Sequence, residues 1–116
     1  MMHKKTGKRF GRPKASREMM LRNLASSILI YEKVKTTDTK AKAVQSLVEK
    51  MITAAKKNDL NAKRKMIATL PQKMAVKKAI EILGERYKGT KGGYTRITKL
   101  GHRQGDGAKI VQIELT

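Results

Sequence analysis

The chain has 116 residues, with 28 Lys or Arg against nine Asp or Glu, a formal net charge of +19. A length of this order sustains one domain with one modest core, and with no Cys and only two His the composition excludes a disulfide framework, a thiolate metal site and a cysteine nucleophile. No run reaches the roughly 18–20 apolar residues of a membrane-spanning helix and the start lacks the apolar block of a signal peptide, so a soluble intracellular protein is expected.

Residues 1 to 17 carry seven cations and no acid before Glu18, broken by Gly7, Gly11 and Pro13. Such a stretch has too little apolar content to pack against a core, and residues 1–15 read as an extended basic arm. Ser16 is the expected N-cap of a first helix, with Glu18 in its first turn and Met20, Leu21, Leu24, Ala25 and Ile28 as its apolar face. Lys33 to Thr37 is short and β-prone. Thr37 or Asp38 then caps a second helix, whose Val44, Leu47, Val48, Met51, Ile52 and Ala55 follow the spacing of one helical face. Asn58 and Asp59 supply a turn and a cap for a short third helix with Leu60, Ile67 and Leu70. Pro71 suits the first turn of a fourth, carrying Val76, Ala79, Ile80 and Leu83 and ended by Gly84. Met19, Met20, Met51, Met66 and Met74 are assigned to gaps in the core.

Beyond the helices, Tyr94 to Leu100 and Ile110 to Leu115 read as strands. Val111, Ile113 and Leu115 alternate with Gln112 and Glu114, as a half-buried strand requires, whereas Tyr94, Ile97 and Leu100 lie three apart and leave the first strand's register open. With Lys33 to Thr37 these make a small three-stranded sheet covered on one face by four helical segments, an α+β fold over residues 16–116. The Gly101 to Lys109 connection is longer than a tight hairpin needs and reads as a basic recognition loop.

The charge is not spread evenly. Seven basic residues lie in residues 1 to 17 and six from Arg86 to Arg103, together thirteen of the 28, in two stretches without acids. So large an excess repels itself and calls for a polyanion. Glycines and Pro13 let the arm follow a phosphate surface, and Phe10 can stack among bases; the competing reading is a solvated tail. His3 and His102 suit polar contacts to phosphate or ribose. Gly92 and Gly93 permit close approach of backbone to an anion, although neither a P-loop nor a dinucleotide fingerprint is present, and Tyr94 suits the core as well as it suits stacking. Lys40, Lys42, Lys50, Lys56 and Lys57 fall mostly on the polar side of the second helix, where a solvated face is the simpler reading. The carboxylates are too few and scattered for an acid–base pair, so no enzyme activity, cofactor or small-molecule substrate is expected.

Particular residues narrow the choice of polyanion. Met2-His3-Lys4-Lys5 with Gly7, then Arg22-Asn23-Leu24-Ala25 with Ser27-Ile28, open the comparison. Val34-Lys35-Thr36-Thr37 with Lys40-Ala41-Lys42, Glu49, Met51-Ile52-Thr53 and Lys56 continue it. Gly92-Gly93-Tyr94-Thr95-Arg96-Ile97 with Lys99, Gly101, Arg103, Gly105 and Asp106, and finally Ile113-Glu114-Leu115, complete it. In order and spacing these motifs resemble the bacterial large-subunit ribosomal protein seventeen family, from end to end. Val34 stands where Ile is more usual, and the stretch from Asn58 to Lys78 is not distinctive.

The resemblance implies a structural constituent of the large ribosomal subunit, bound to large-subunit ribosomal RNA near the polypeptide exit tunnel, beside neighbouring ribosomal proteins and with a role in assembly and translation. No homo-oligomer and no membrane association are expected. The residues expected to meet RNA are His3, Lys4, Lys5, Lys8, Arg9, Phe10, Arg12, Lys14 and Arg17 of the arm and its junction, and Arg22, Lys35, Lys40 and Lys42. Lys91, Gly92, Gly93, Tyr94, Arg96, Lys99, His102 and Arg103 form the second line. The alternative from another class is a nucleoid-type DNA-binding protein, which lacks β-ribbon arms and apolar wedge residues here.

Overall fold

The helix that organises the molecule is the one with the cleanest apolar periodicity. The computed structural model describes residues 14–116 and places it as α2 (Asp38–Lys57), preceded by α1 (Lys14–Tyr31) and β1 (Lys33–Thr37). Thr37 Oγ1 accepts the Lys40 N–H, Asp38 sits in the first turn, and Lys56 and Lys57 in the last, each end matched to the helix dipole. Its Ala41, Val44, Val48, Met51, Ile52 and Ala55 are buried. At the far end Asn58 turns left-handed and Asp59 Oδ1 accepts the Ala62 N–H at 2.7 Å, starting α3 (Leu60–Thr69).

α4 (Lys73–Lys78) passes without a break into a π-helical turn (Ala79–Leu83) and a last turn, α5 (Gly84–Arg86). Two short connections then lead to β2 (Thr95–His102) and β3 (Lys109–Leu115). The sheet order is β1-β3-β2, antiparallel throughout, with β3 central. Val111, Ile113 and Leu115 face α1 and α2, so the α+β arrangement with helices on one face of a three-stranded sheet stands as expected. Among the described residues no helix is long and apolar enough to cross a membrane.

Several local expectations are corrected. Lys14, Ala15 and Ser16 all lie within α1, so Ser16 is not its N-cap. Pro71 lies before the fourth helix, whose cap position is Gln72. Leu60, Ile67, Met19 and Met74 are exposed; α3 packs through Ala62 and Met66, one helical turn apart, and the small Ala brings it close to α2. Leu100 is exposed because the ladder slips between Lys99 and Gly101, and Tyr94 precedes the strand, which explains the uneven spacing.

Gly84 does not end its helix. It has ordinary helical dihedrals and is buried, and a Cβ there would lie 2.7 Å from the Ala55 carbonyl oxygen of α2. The glycine is where two helix backbones touch. The π turn, closed by the Gly84 N–H on the Ala79 carbonyl, sets Leu83 and Gly84 against that contact.

Candidate nucleic-acid interface

The cations that matter for a polyanion are those the protein does not itself neutralise. Six ion pairs form among the described residues, and they remove part of the expected set. Arg86, at the head of the second basic stretch, is paired with Glu32, whose carboxylate also holds Lys78 Nζ at 2.7 Å. Arg103 lies along Asp106, with Nε to Oδ1 at 3.1 Å and Nη2 to Oδ2 at 2.5 Å. That pair, the Ala108 N–H on Asp106 Oδ1 and the Arg103 N–H on the Ala108 carbonyl close the β2–β3 connection into an ordered turn. Arg103 and the Ala108 N–H pull the Asp106 carboxyl down to about 2. The Gly101 to Lys109 connection, expected as a basic recognition loop, is therefore an ordered hairpin turn, with Gly101 and His102 already in β2.

The Gly92-Gly93-Tyr94 segment is also occupied from within. Glu49 of α2 accepts the Gly93 N–H at 3.2 Å, the Thr95 N–H at 3.1 Å and the Thr95 hydroxyl at 2.8 Å. The anion brought close to this glycine pair is the protein's own carboxylate, and the left-handed φ of +67° at Gly93 turns its amide toward it. Tyr94 is 2% exposed, so it is not available to stack on a base. Its ring meets Tyr87 edge-on at 5.2 Å between centroids, and its hydroxyl receives Lys56 Nζ at 2.9 Å. The same ammonium donates to the Thr90 carbonyl and lies 5.1 Å from the ring centroid, which holds the phenol below its usual range. Lys56 is thus a core tie and not part of a solvated face. The motif around Glu49 and Lys56 and the motif around Tyr94 are distant in sequence and in direct contact.

Part of what remains outward lies on the sheet and its hairpin end. Direct pairing puts Lys33, Glu114 and Arg96 in one row across the outer face, and Lys35, Gln112 and Thr98 in the next. Arg96 Nη2 is 3.6 Å from Glu114 Oε2, a loose pair that leaves the guanidinium mostly exposed. Lys91, Gly92, Lys99 and His102 are exposed. On α1, Lys14 is exposed and Arg17 half-buried, while Arg22 faces Glu18 at 3.9 Å. Lys40 is half-buried at the start of α2 and Lys42 pairs with Asp38 at 3.1 Å. His3, Lys4, Lys5, Lys8, Arg9, Phe10 and Arg12 lie outside the described residues.

Sequence reasoning passed over Lys33 and Lys109, which the sheet places beside expected contacts, and the exposed run Lys63-Arg64-Lys65 on α3. The run was visible as three successive cations; the other two needed the strand register.

This geometry belongs with a family match. Residues 20–116 match the family described as Ribosomal protein L17. The chain belongs to the ribosomal protein L17 family. It is 49% identical over 114 residues to a protein of Syntrophus aciditrophicus named large ribosomal subunit protein bL17, covering 98% of this chain and 91% of that one. A protein of the same name from Dehalococcoides mccartyi is 45% identical over 115 residues, covering 99% and 98% of the two chains. One from Trichlorobacter lovleyi is 46% identical, also over 115 residues, covering 99% and 93%. L17 proteins are structural ribosomal constituents rather than enzymes, in keeping with a site made of exposed cations on a sheet.

Proposed function

We propose that this chain works in the large ribosomal subunit by binding large-subunit ribosomal RNA, and that it sits near the polypeptide exit tunnel, supports subunit assembly and contacts neighbouring ribosomal proteins. In bacteria that places it in the cytoplasm as part of the ribosome. The observation that carries the RNA reading is the set of exposed cations left without a carboxylate around the sheet, in a chain of this family. Lys35, Lys91 and Lys99, with Lys14 of α1, are the proposed cationic contacts, His102 a polar one, and half-buried Arg17 and loosely paired Arg96 join them. Arg22, Lys40 and Lys42 flank this set, and Arg103 contributes only by exchanging Asp106 for a phosphate. Residues 1–13 add five cations, His3 and Phe10, and are proposed as an arm that follows the RNA backbone.

A helical reader of duplex DNA would carry its Arg, Asn and Gln on one exposed helix face, whereas most of the contacts proposed here lie on strands and connections, which favours irregular folded RNA. The deciding experiment is sedimentation of a cell extract at moderate salt. Co-migration with large ribosomal subunits supports this function; association with the nucleoid fraction supports the DNA-binding alternative.

A further inference from the structure

The inner face of the sheet does not stop where the helices stop covering it. Pairing places Lys99 opposite Val111 and His102 opposite Lys109, on the same side as Ile97, Ile113 and Leu115, which are core or packed against it. Along that face the side chains therefore change from apolar to cationic within two residues. Lys99, His102 and Lys109 are exposed although they occupy the face turned toward the helical layer. Solvation alone would be served better by the outer face.

The space beside them is a cleft of about 300 Å³ at the start of α2. Val111, Ile110 and Gly101 are among its lining, and a Cβ added at Gly101 would meet nothing within 4 Å. Lys99, His102 and Lys109 also line it, as does Asp38, whose Oδ2 is 3.1 Å from Lys42 Nζ. The volume is at the lower end of ligand sites, which run from roughly 300 to 1,000 Å³. The apolar part of the lining suits the face of a base, and the two lysines suit the phosphate attached to it. A carboxylate on one wall accepts hydrogen bonds and donates none, so it selects a base edge that presents donors. A base stacked inside a helix cannot enter, while an unpaired one offers both its face and its Watson–Crick edge.

We propose that this cleft holds one unpaired guanine nucleotide of the bound RNA, its N1–H and N2–H groups on Asp38 and its phosphate between Lys99 and Lys109. The proposal rests on the RNA-binding function above and adds the occupant of one place on that surface.

The test titrates the full-length, 15N-labelled protein with guanosine 5′-monophosphate, uridine 5′-monophosphate and inorganic phosphate, following backbone amides, and measures ribosomal RNA binding in parallel. The guanine nucleotide is expected to shift Asp38, Gly101, His102 and Val111 and to bind about tenfold more tightly than the uridine nucleotide, the lower range for one good bidentate base contact. Asp38→Asn should remove the preference and leave uridine nucleotide binding within about twofold; Thr37 still caps the helix, so the fold is kept. Lys109→Gln should weaken both nucleotides together. Equal shifts from all three probes, or shifts spread over the other basic surfaces, overturn the proposal even if ribosomal RNA binding is intact. Loss of ribosomal RNA binding with the guanine preference retained overturns the function above and leaves the cleft standing.

Discussion

Glu32 and Arg86 are joined by two parallel hydrogen bonds, Nη1 to Oε1 at 2.5 Å and Nη2 to Oε2 at 3.0 Å, across 54 positions of chain. Glu32 has a left-handed backbone, φ +68°, at the turn from α1 into β1, and its carbonyl accepts the Leu115 N–H at 2.8 Å. One residue therefore ties the end of α1 to the central strand and to the last helical turn. Lys78 completes the cluster, donating to the Ile30 carbonyl at 2.7 Å as well as to Glu32.

Glu32→Gln should destabilise the fold at neutral pH by about 1 kcal/mol, somewhat more than a single exposed pair, because the carboxylate serves two cations yet stays one-third exposed and screened. Hydrogen bonds from Arg86 and Lys78 hold the Glu32 carboxyl down to about 2. An unfolded Glu titrates near 4.3, so the contribution is complete above that pH and disappears as the pH falls toward 2. Urea unfolding should show the two proteins apart at pH 7 and converging by pH 2 to 3; a constant gap would show that Gln loses packing rather than charge.

Gly84→Ala tests the helix contact. Alanine normally favours a helix interior over glycine by about 1 kcal/mol, but here its Cβ would be forced to 2.7 Å from the Ala55 carbonyl oxygen. Net destabilisation of about 1–3 kcal/mol is expected, as for other overpacked sites. Gly89→Ala, with nothing within 4 Å of its Cβ, is the control and should change the denaturation midpoint little.

These two positions also mark what the sequence made legible. The alternation Val111, Ile113, Leu115 and the helical spacing from Val44 to Ala55 state which face is buried, and the structure keeps both. Capping by Thr37 and Asp59 was readable because a cap acts over three residues. Gly84, Arg86, Arg103 and Tyr94 were read by residue type alone, as a helix stop, free charges and a ring suited equally to core and stacking. Their roles depend on Ala55, Glu32, Asp106 and Lys56, and only Asp106 is near in sequence. The candidate interface was thus legible as a quantity of charge; which cations are free depended on where nine acids came to rest.

Glu49→Ala should loosen the segment before β2. Three donors, two of them backbone amides, converge on this carboxylate, and Thr95 is buried, so its N–H would lose a partner away from water. A cost of about 1–3 kcal/mol follows from one unsatisfied buried donor. Hydrogen exchange at Gly93 and Thr95 should accelerate by an order of magnitude or more while Val48 and Ile52 keep their protection. Unchanged exchange would mean that the Tyr94 ring alone fixes the segment.

Binding to ribosomal RNA should separate free cations from internally paired ones. Removing residues 1–13, which leaves α1 from Lys14 to Tyr31 intact, should keep the fold of residues 14–116 and remove several phosphate contacts. Each lost contact lowers the slope of log affinity against log salt by about 0.7–0.9, so deleting five arm cations should reduce it by about 3.5–4.5 if each meets one phosphate. Lys99→Ala and Lys35→Ala should each lower the slope by about 1 and leave thermal stability nearly unchanged. Arg86→Ala should do the reverse: its guanidinium is held by Glu32, so stability falls and the slope stays within error of the parent. Salt-dependent filter binding with thermal melts of the same samples measures both quantities. A slope that falls equally for Arg86 and Lys99 would show that the RNA competes successfully for the Glu32 pair and that the interface extends to the end of α5.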